Sequence, residues 1–189
     1  MNDSHTIVAF LTGQSDSSSD ALSQSQWEFL SRSPVPEAEK MRMNFPYSGT
    51  AAGWRSIPLW QASIHNTLQY WTSRHEAFSL KYREHIMATF AGYERMIFLA
   101  GSCGLELLVN LRLPPEFMQR VHVFAYGPVS RSLPECALLW RVRGRQDHLS
   151  KRWHPVVDHI LECGHMDYLE SLETQRLFSD FYQKSTSPL

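Results

Sequence analysis

Residues 96–107, MIFLAGSCGLEL, place two side chains able to act as nucleophiles, Ser102 and Cys103, between a hydrophobic run and a helix-forming stretch. A strand that turns at once into a helix strains the backbone of the residue at the turn and presents its side chain, so the residues two before and two after must be small. Centred on Ser102, those flanks are Ala100 and Gly104, both small. Centred on Cys103, they are Gly101 and Leu105, and leucine fits the second crowded position poorly. The spacing therefore favours Ser102 as the nucleophile of an acyl-transfer reaction, with the backbone N–H of Cys103 helping to hold an oxyanion. Cys103 stays open as the alternative nucleophile because thiols are intrinsically reactive. A phosphate-binding loop is not supported, since the glycines at 101 and 104 are not followed by the lysine and hydroxyl residue such a loop requires.

The chemistry needs a scaffold, and the hydrophobic pattern supplies one. Strand-like apolar runs occur at Thr6–Leu11, Met41–Phe45, Arg95–Ala100, Val121–Ala125, Ala137–Val142 and Val156–Leu161. Several are continuous rather than alternating, as expected for strands covered on both faces of a parallel sheet. Between them lie helical patterns. Ile64, Leu68, Trp71, Phe78, Tyr82 and Ile86 share one stripe, with His75 in it as a partly buried helix histidine, and a break is expected between Ser73 and Ser79. Gly104–Leu113 reads as a helix stopped by Pro114 and Pro115, and Met166–Tyr182 as the last, with Leu169, Leu172 and Phe181 turned inward. Alternating strands and helices imply an α/β layered fold of about six mostly parallel strands with helices on both faces. Two loops, Gln14–Ser25 and Pro46–Pro58, then fall at the carboxyl ends of strands, where open α/β sheets bind ligands.

Length and composition agree with one domain spanning residues 1–189. The chain is 43% hydrophobic and 20% charged, with 18 basic against 19 acidic residues. A net charge of -1 provides no field that would draw the whole protein onto nucleic acid, and no apolar stretch approaches the roughly 20 residues of a membrane span. Three cysteines and an N-terminus without a basic signal region point to a reducing, cytoplasmic setting.

At the Ser102 turn the chain resembles the α/β-hydrolase superfamily, and the resemblance continues in the order that family uses: nucleophile, acid, histidine. After the run 137–142 comes Arg143-Gly144-Arg145-Gln146-Asp147, similar to the family's turn that presents the acid; after the next run comes Glu162-Cys163-Gly164-His165-Met166, similar to its Gly-His pair. The resemblance implies Asp147 as the orienting carboxylate and His165 as the general base. It also likens Leu11-Thr12-Gly13-Gln14 to the first oxyanion loop, with Thr12 where the family carries histidine, and assigns the second oxyanion donor to the Gln14 N–H. The sheet is expected to be a reduced form of that fold. The lid region after the Val121 strand is short, so any cover over the site is expected from Pro46–Trp60.

Rival assignments are weaker. His148, His154 and His159 compete with His165, and Asp158 and Asp167 with Asp147; with Cys163 the histidines could be imagined as a metal cluster, but their spacings match no zinc signature. Arg141, Arg143, Arg145, Lys151 and Arg152 read as a solvated face, or as a receiver for a phosphate-bearing carrier such as coenzyme A or a phosphopantetheinyl protein. The expectation is a serine hydrolase that cleaves an ester or thioester, including acyl groups on a carrier, through an acyl-Ser102 intermediate and without metal or organic cofactor. Two other readings stand beside it: a hydrolase-fold protein that binds a ligand or partner without turnover, and an acyltransferase using the same three side chains.

Overall fold

The computed structural model describes residues 5–14, 19–45 and 68–187. The expected cover Pro46–Trp60, the start of the helical stripe at Ile64 and residues 15–18 of the serine-rich loop lie outside the described residues. Six strands, β1 (Thr6–Leu11), β2 (Lys40–Phe45), β3 (Arg95–Gly101), β4 (Val121–Tyr126), β5 (Leu138–Gly144) and β6 (His159–Leu161), form one sheet in the order β2-β1-β3-β4-β5-β6. All five pairings are parallel. The order reverses direction at β1, so the crevice between the carboxyl ends of β1 and β3 is the position where such sheets bind ligands.

Helices cover both faces because alternate strand residues feed two separate cores. Ile7, Ala9 and Leu11 of β1 pack with Phe98, Leu105, Leu108 and Phe117 beneath α2 (Glu76–Thr89), α3 (Gly104–Asn110) and α4 (Pro115–Met118). Val8 and Phe10 join Phe29, Leu99, Phe124, Phe178 and Phe181 on the opposite face, beneath α1 (Gln24–Arg32) and α6 (Leu172–Thr186). The remaining helix, α5 (His148–Trp153), follows β5. Both faces of β1 and β3 are thus buried, the physical reason for their unbroken apolar character.

Three features depart from the sequence reading. The stripe does break, at residues 73–75, but Leu68 and Trp71 on the preceding helical residues 68–72 are more than half exposed, and His75 is an exposed N-cap of α2. Only from Phe78 onward does the stripe face the core, because α2 alone packs along the sheet. The sixth strand is shorter than expected: Val156 is 73% exposed and pairing begins only where Val142 meets His159. A short edge strand is a common way to limit exposed ladder groups. Residues 165–170 form turns, and the last helix starts at Leu172, where the Ser171 side chain accepts the Thr174 N–H; Leu172 itself is exposed.

Candidate active site

The turn after β3 has the strain that the small flanking residues anticipate. Ser102 has φ +51°, while Cys103, next in the chain, has ordinary helical dihedrals (φ −71°, ψ −5°) and N-caps α3. A non-glycine residue in the left-handed region costs on the order of 1–3 kcal/mol, and here the surroundings hold it: Ser102 N–H donates to Tyr126 O, and its carbonyl accepts from Val129 N–H at 2.9 Å. Gly104 has to be glycine. A Cβ there would sit 1.9 Å from the Leu11 carbonyl oxygen, so β1 and the start of α3 approach as closely as two backbones can. At Gly101 a Cβ would meet the Tyr126 ring at 2.4 Å.

Ser102 Oγ lies 3.2 Å from His165 Nε2, and His165 Nδ1 lies 2.8 Å from Asp147 Oδ2. The three groups come from three separate strand ends and from positions 63 and 18 residues apart. Asp147 is fully buried and N-caps α5, accepting the Ser150 N–H on Oδ1 at 2.8 Å. Burial alone would raise its carboxyl; hydrogen bonds from His165, the Ser150 N–H and Tyr168 outweigh it and hold the group below the usual carboxylate range. An ionised Asp147 fixes the His165 ring with Nδ1–H toward the carboxylate and leaves Nε2 to accept from Ser102.

Tyr168 is the residue of this network that pattern reading overlooked. Its hydroxyl donates to Asp147 Oδ2 at 2.7 Å and accepts the Gly144 N–H at 2.7 Å, and its ring is almost wholly buried. No local motif marks it. Its only signal is an aromatic three residues beyond His165, within the stretch assigned to helix.

The loop after β1 is held by side chains rather than by its own turn. Asn44 accepts the Thr12 N–H on Oδ1 at 3.1 Å and donates to Gly13 O; Gln26 Nε2 donates to Thr12 Oγ1, which in turn donates to Gly13 O. Thr12 thus serves as a node that ties α1, the loop and β2 together. The Gln14 N–H donates to Gln69 Oε1. Among the described residues no hydrogen bond takes up the Cys103 N–H. A cavity of ≈ 250 Å³ opens between this loop and His165; Ser102, Gln14, Asn44, Tyr126, Met166 and Leu169 are among the residues that line it.

Cys103 does not line that cavity, and burial pushes its thiol up to about 12, so it is a neutral thiol at ordinary pH. His154 is occupied elsewhere, its Nε2 lying 3.0 Å from Ser130 Oγ, and burial lowers its basicity. His148 is exposed and His159 rests on the Trp140 ring. Asp158 is bound by Arg141 through its backbone N–H and guanidinium, and Asp167 accepts the Gly164 N–H. Among the described residues no three His, Cys, Asp or Glu side chains are grouped so as to hold a metal ion.

The basic group read as a receiver for a phosphate-bearing carrier is largely committed within the fold. Arg141 pairs with Asp158 and Arg145 with Glu162, while the buried Arg143 donates to the His154 and Pro155 carbonyls. Among the described residues no helix is long and apolar enough to cross a membrane. Compared with protein-family models and with curated proteins, the chain matches none.

Proposed function

We propose that this protein is a serine hydrolase of the α/β-hydrolase type that cleaves a small-molecule ester or thioester, with carrier-bound acyl groups as one form of the thioester. The observation that carries the reading is the hydrogen-bonded series Ser102–His165–Asp147 with Ser102 held at a left-handed backbone. A serine in an ordinary turn needs neither the strain nor a histidine partnered by a buried carboxylate. In this mechanism Ser102 Oγ attacks the substrate carbonyl carbon as His165 Nε2 takes the hydroxyl proton. The carbonyl oxygen gains the negative charge, facing the Cys103 and Gln14 N–H groups. Collapse expels the alcohol or thiol, which leaves with the proton from His165. Water, deprotonated by the same nitrogen, then attacks the acyl-serine and releases the acid while Ser102 regains its proton. The three thiols, all unpaired, fit a reducing, cytoplasmic location.

The test is intact-protein mass after treatment with a fluorophosphonate, followed by peptide mapping. One adduct on Ser102 is expected in the wild type and in Cys103→Ala, and none in Ser102→Ala or His165→Ala. A folded wild type that takes no label removes the reading and leaves a protein that binds without turnover.

A further inference from the structure

The donor assigned to the oxyanion already has an acceptor in this structure. Gln14 N–H donates to Oε1 of Gln69, 55 positions away, and Gln69 Nε2 donates back to Gln14 Oε1 at 3.3 Å. A side-chain carboxamide oxygen is the same kind of acceptor as the carbonyl oxygen of an acyl substrate. Resting on the reading above, we propose that the Gln69 carboxamide caps one of the two oxyanion donors, the Gln14 N–H, in the resting protein and that a substrate binds productively only by displacing it there with its own carbonyl oxygen.

The backbone that carries Gln69 is anchored to the helix that follows Ser102. Arg74 reaches the buried Glu106 at 3.2 Å and lies over the Tyr70 and Trp71 rings at 4.2 and 4.3 Å. Asn110 donates to Ser73 Oγ at 3.0 Å, and Tyr70 packs with Cys103 and Leu107. Glu106 is 1% exposed and also accepts from Arg131, so this attachment is rigid. Gln69 itself is only half-buried and has three side-chain torsions. Rotation about these torsions takes the carboxamide off the Gln14 N–H and breaks its return bond to Gln14 Oε1.

The kinetic consequence has a definite sign. The Gln69 carboxamide must leave before either the bound substrate or the transition state can use the Gln14 N–H. It therefore weakens both equally, raising KM and leaving kcat nearly unchanged. A carboxylate at the same position would hold the N–H more tightly, because a charged acceptor makes the stronger hydrogen bond. A residue that merely buttressed the loop would give the opposite result on removal, lowering kcat as the oxyanion donor lost its place.

The experiment is the second-order rate of Ser102 labelling by a fluorophosphonate, whose phosphoryl oxygen uses the same donors, for wild type, Gln69→Ala and Gln69→Glu. Thermal melting of each protein and kcat and KM on an ester that the wild type turns over complete the set. Gln69→Ala is expected to label roughly five-fold faster, with KM lowered by a similar factor and kcat unchanged. Gln69→Glu, which is isosteric and keeps the fold if the alanine variant does not, is expected to label more slowly than wild type. Labelling of wild type without acceleration in Gln69→Ala, or without slowing in Gln69→Glu, overturns the proposal and leaves Ser102 as nucleophile. Absence of label on all three folded proteins removes the hydrolase reading and this proposal with it.

Discussion

The Tyr168 hydroxyl lies 2.7 Å from Asp147 Oδ2 and donates to the same oxygen that faces His165 Nδ1. Two donors on one carboxylate oxygen, with the Ser150 N–H on the other, leave the fully buried Asp147 carboxylate a single orientation. The phenol is bound in turn by the Gly144 N–H, and burial together with the Asp147 hydrogen bond pushes its own ionisation well above the ordinary tyrosine range, so it remains a donor. Replacing Tyr168 by Phe keeps the ring and removes the hydroxyl. The expected result is a loss of about 1–3 kcal/mol in stability, because both Asp147 and the Gly144 N–H lose a buried partner, and a fall in kcat with KM nearly unchanged. Urea unfolding and steady-state kinetics on the one variant check both parts; wild-type kcat in Tyr168→Phe would show that Asp147 needs no such support.

Cys103 separates two nucleophile assignments. With its thiol pushed up to about 12 by burial, it is expected to resist iodoacetamide at pH 8 in the folded protein and to react once the chain is unfolded in urea. Cys103→Ala should keep the wild-type rate of fluorophosphonate labelling to within a few-fold. Rapid alkylation of the native protein at Cys103 with loss of activity would instead make the thiol the nucleophile.

Gly104 is expected to tolerate no larger side chain. A methyl group placed 1.9 Å from the Leu11 carbonyl must push β1 away from α3 or deform the Ser102 turn. Gly104→Ala should therefore destabilise the protein by about 3 kcal/mol, at the upper end of the ordinary cost of overpacking, because the obstacle is backbone and cannot rotate aside. Gly92, where an added Cβ meets nothing within 4 Å, is the matched control, and Gly92→Ala should leave the unfolding midpoint close to wild type.

Stability is expected to fall as pH drops from neutral toward 4. Burial, with the charge of Arg95 beside it, lowers His122 to about 4, and burial also lowers His154. Between 6.5 and 4 the unfolded chain binds a proton at His122 that the folded chain refuses, so protonation favours unfolding. Asp147 and Glu106 act in the same direction, since partners hold both below ordinary carboxylate values; the stability they contribute above that range is lost as pH falls through their folded values. Urea midpoints at pH 7, 5.5 and 4 should decline, and His122→Gln should flatten the upper part of the decline. A midpoint independent of pH over this range would contradict the assignment of these groups as buried in their neutral or paired forms.

Much of this protein is written in short windows of its chain. The strand Thr6–Leu11 has the bounds its apolar run predicts, and β3 and β4 each extend one residue past theirs, because a strand buried on both faces leaves a continuous hydrophobic mark that needs no knowledge of its neighbours. The choice of Ser102 over Cys103 as the strained residue follows from side-chain volume two places away, which is equally local. The tertiary structure decided what depends on distant partners. Tyr168 meets Asp147 across 21 positions, Gln69 meets Gln14 across 55, and Glu106 gathers Arg74 and Arg131 from opposite directions along the chain. None of these has a periodicity or a composition that could announce it. The same reason explains the last helix. Helical propensity runs on from Met166, but residues 165–170 form turns that carry His165 and Tyr168 to Asp147, and the helix begins only at the Ser171 cap. Propensity differences of a few tenths of a kcal/mol per residue yield there to buried hydrogen bonds on a carboxylate, each worth more than a turn of helix can offer.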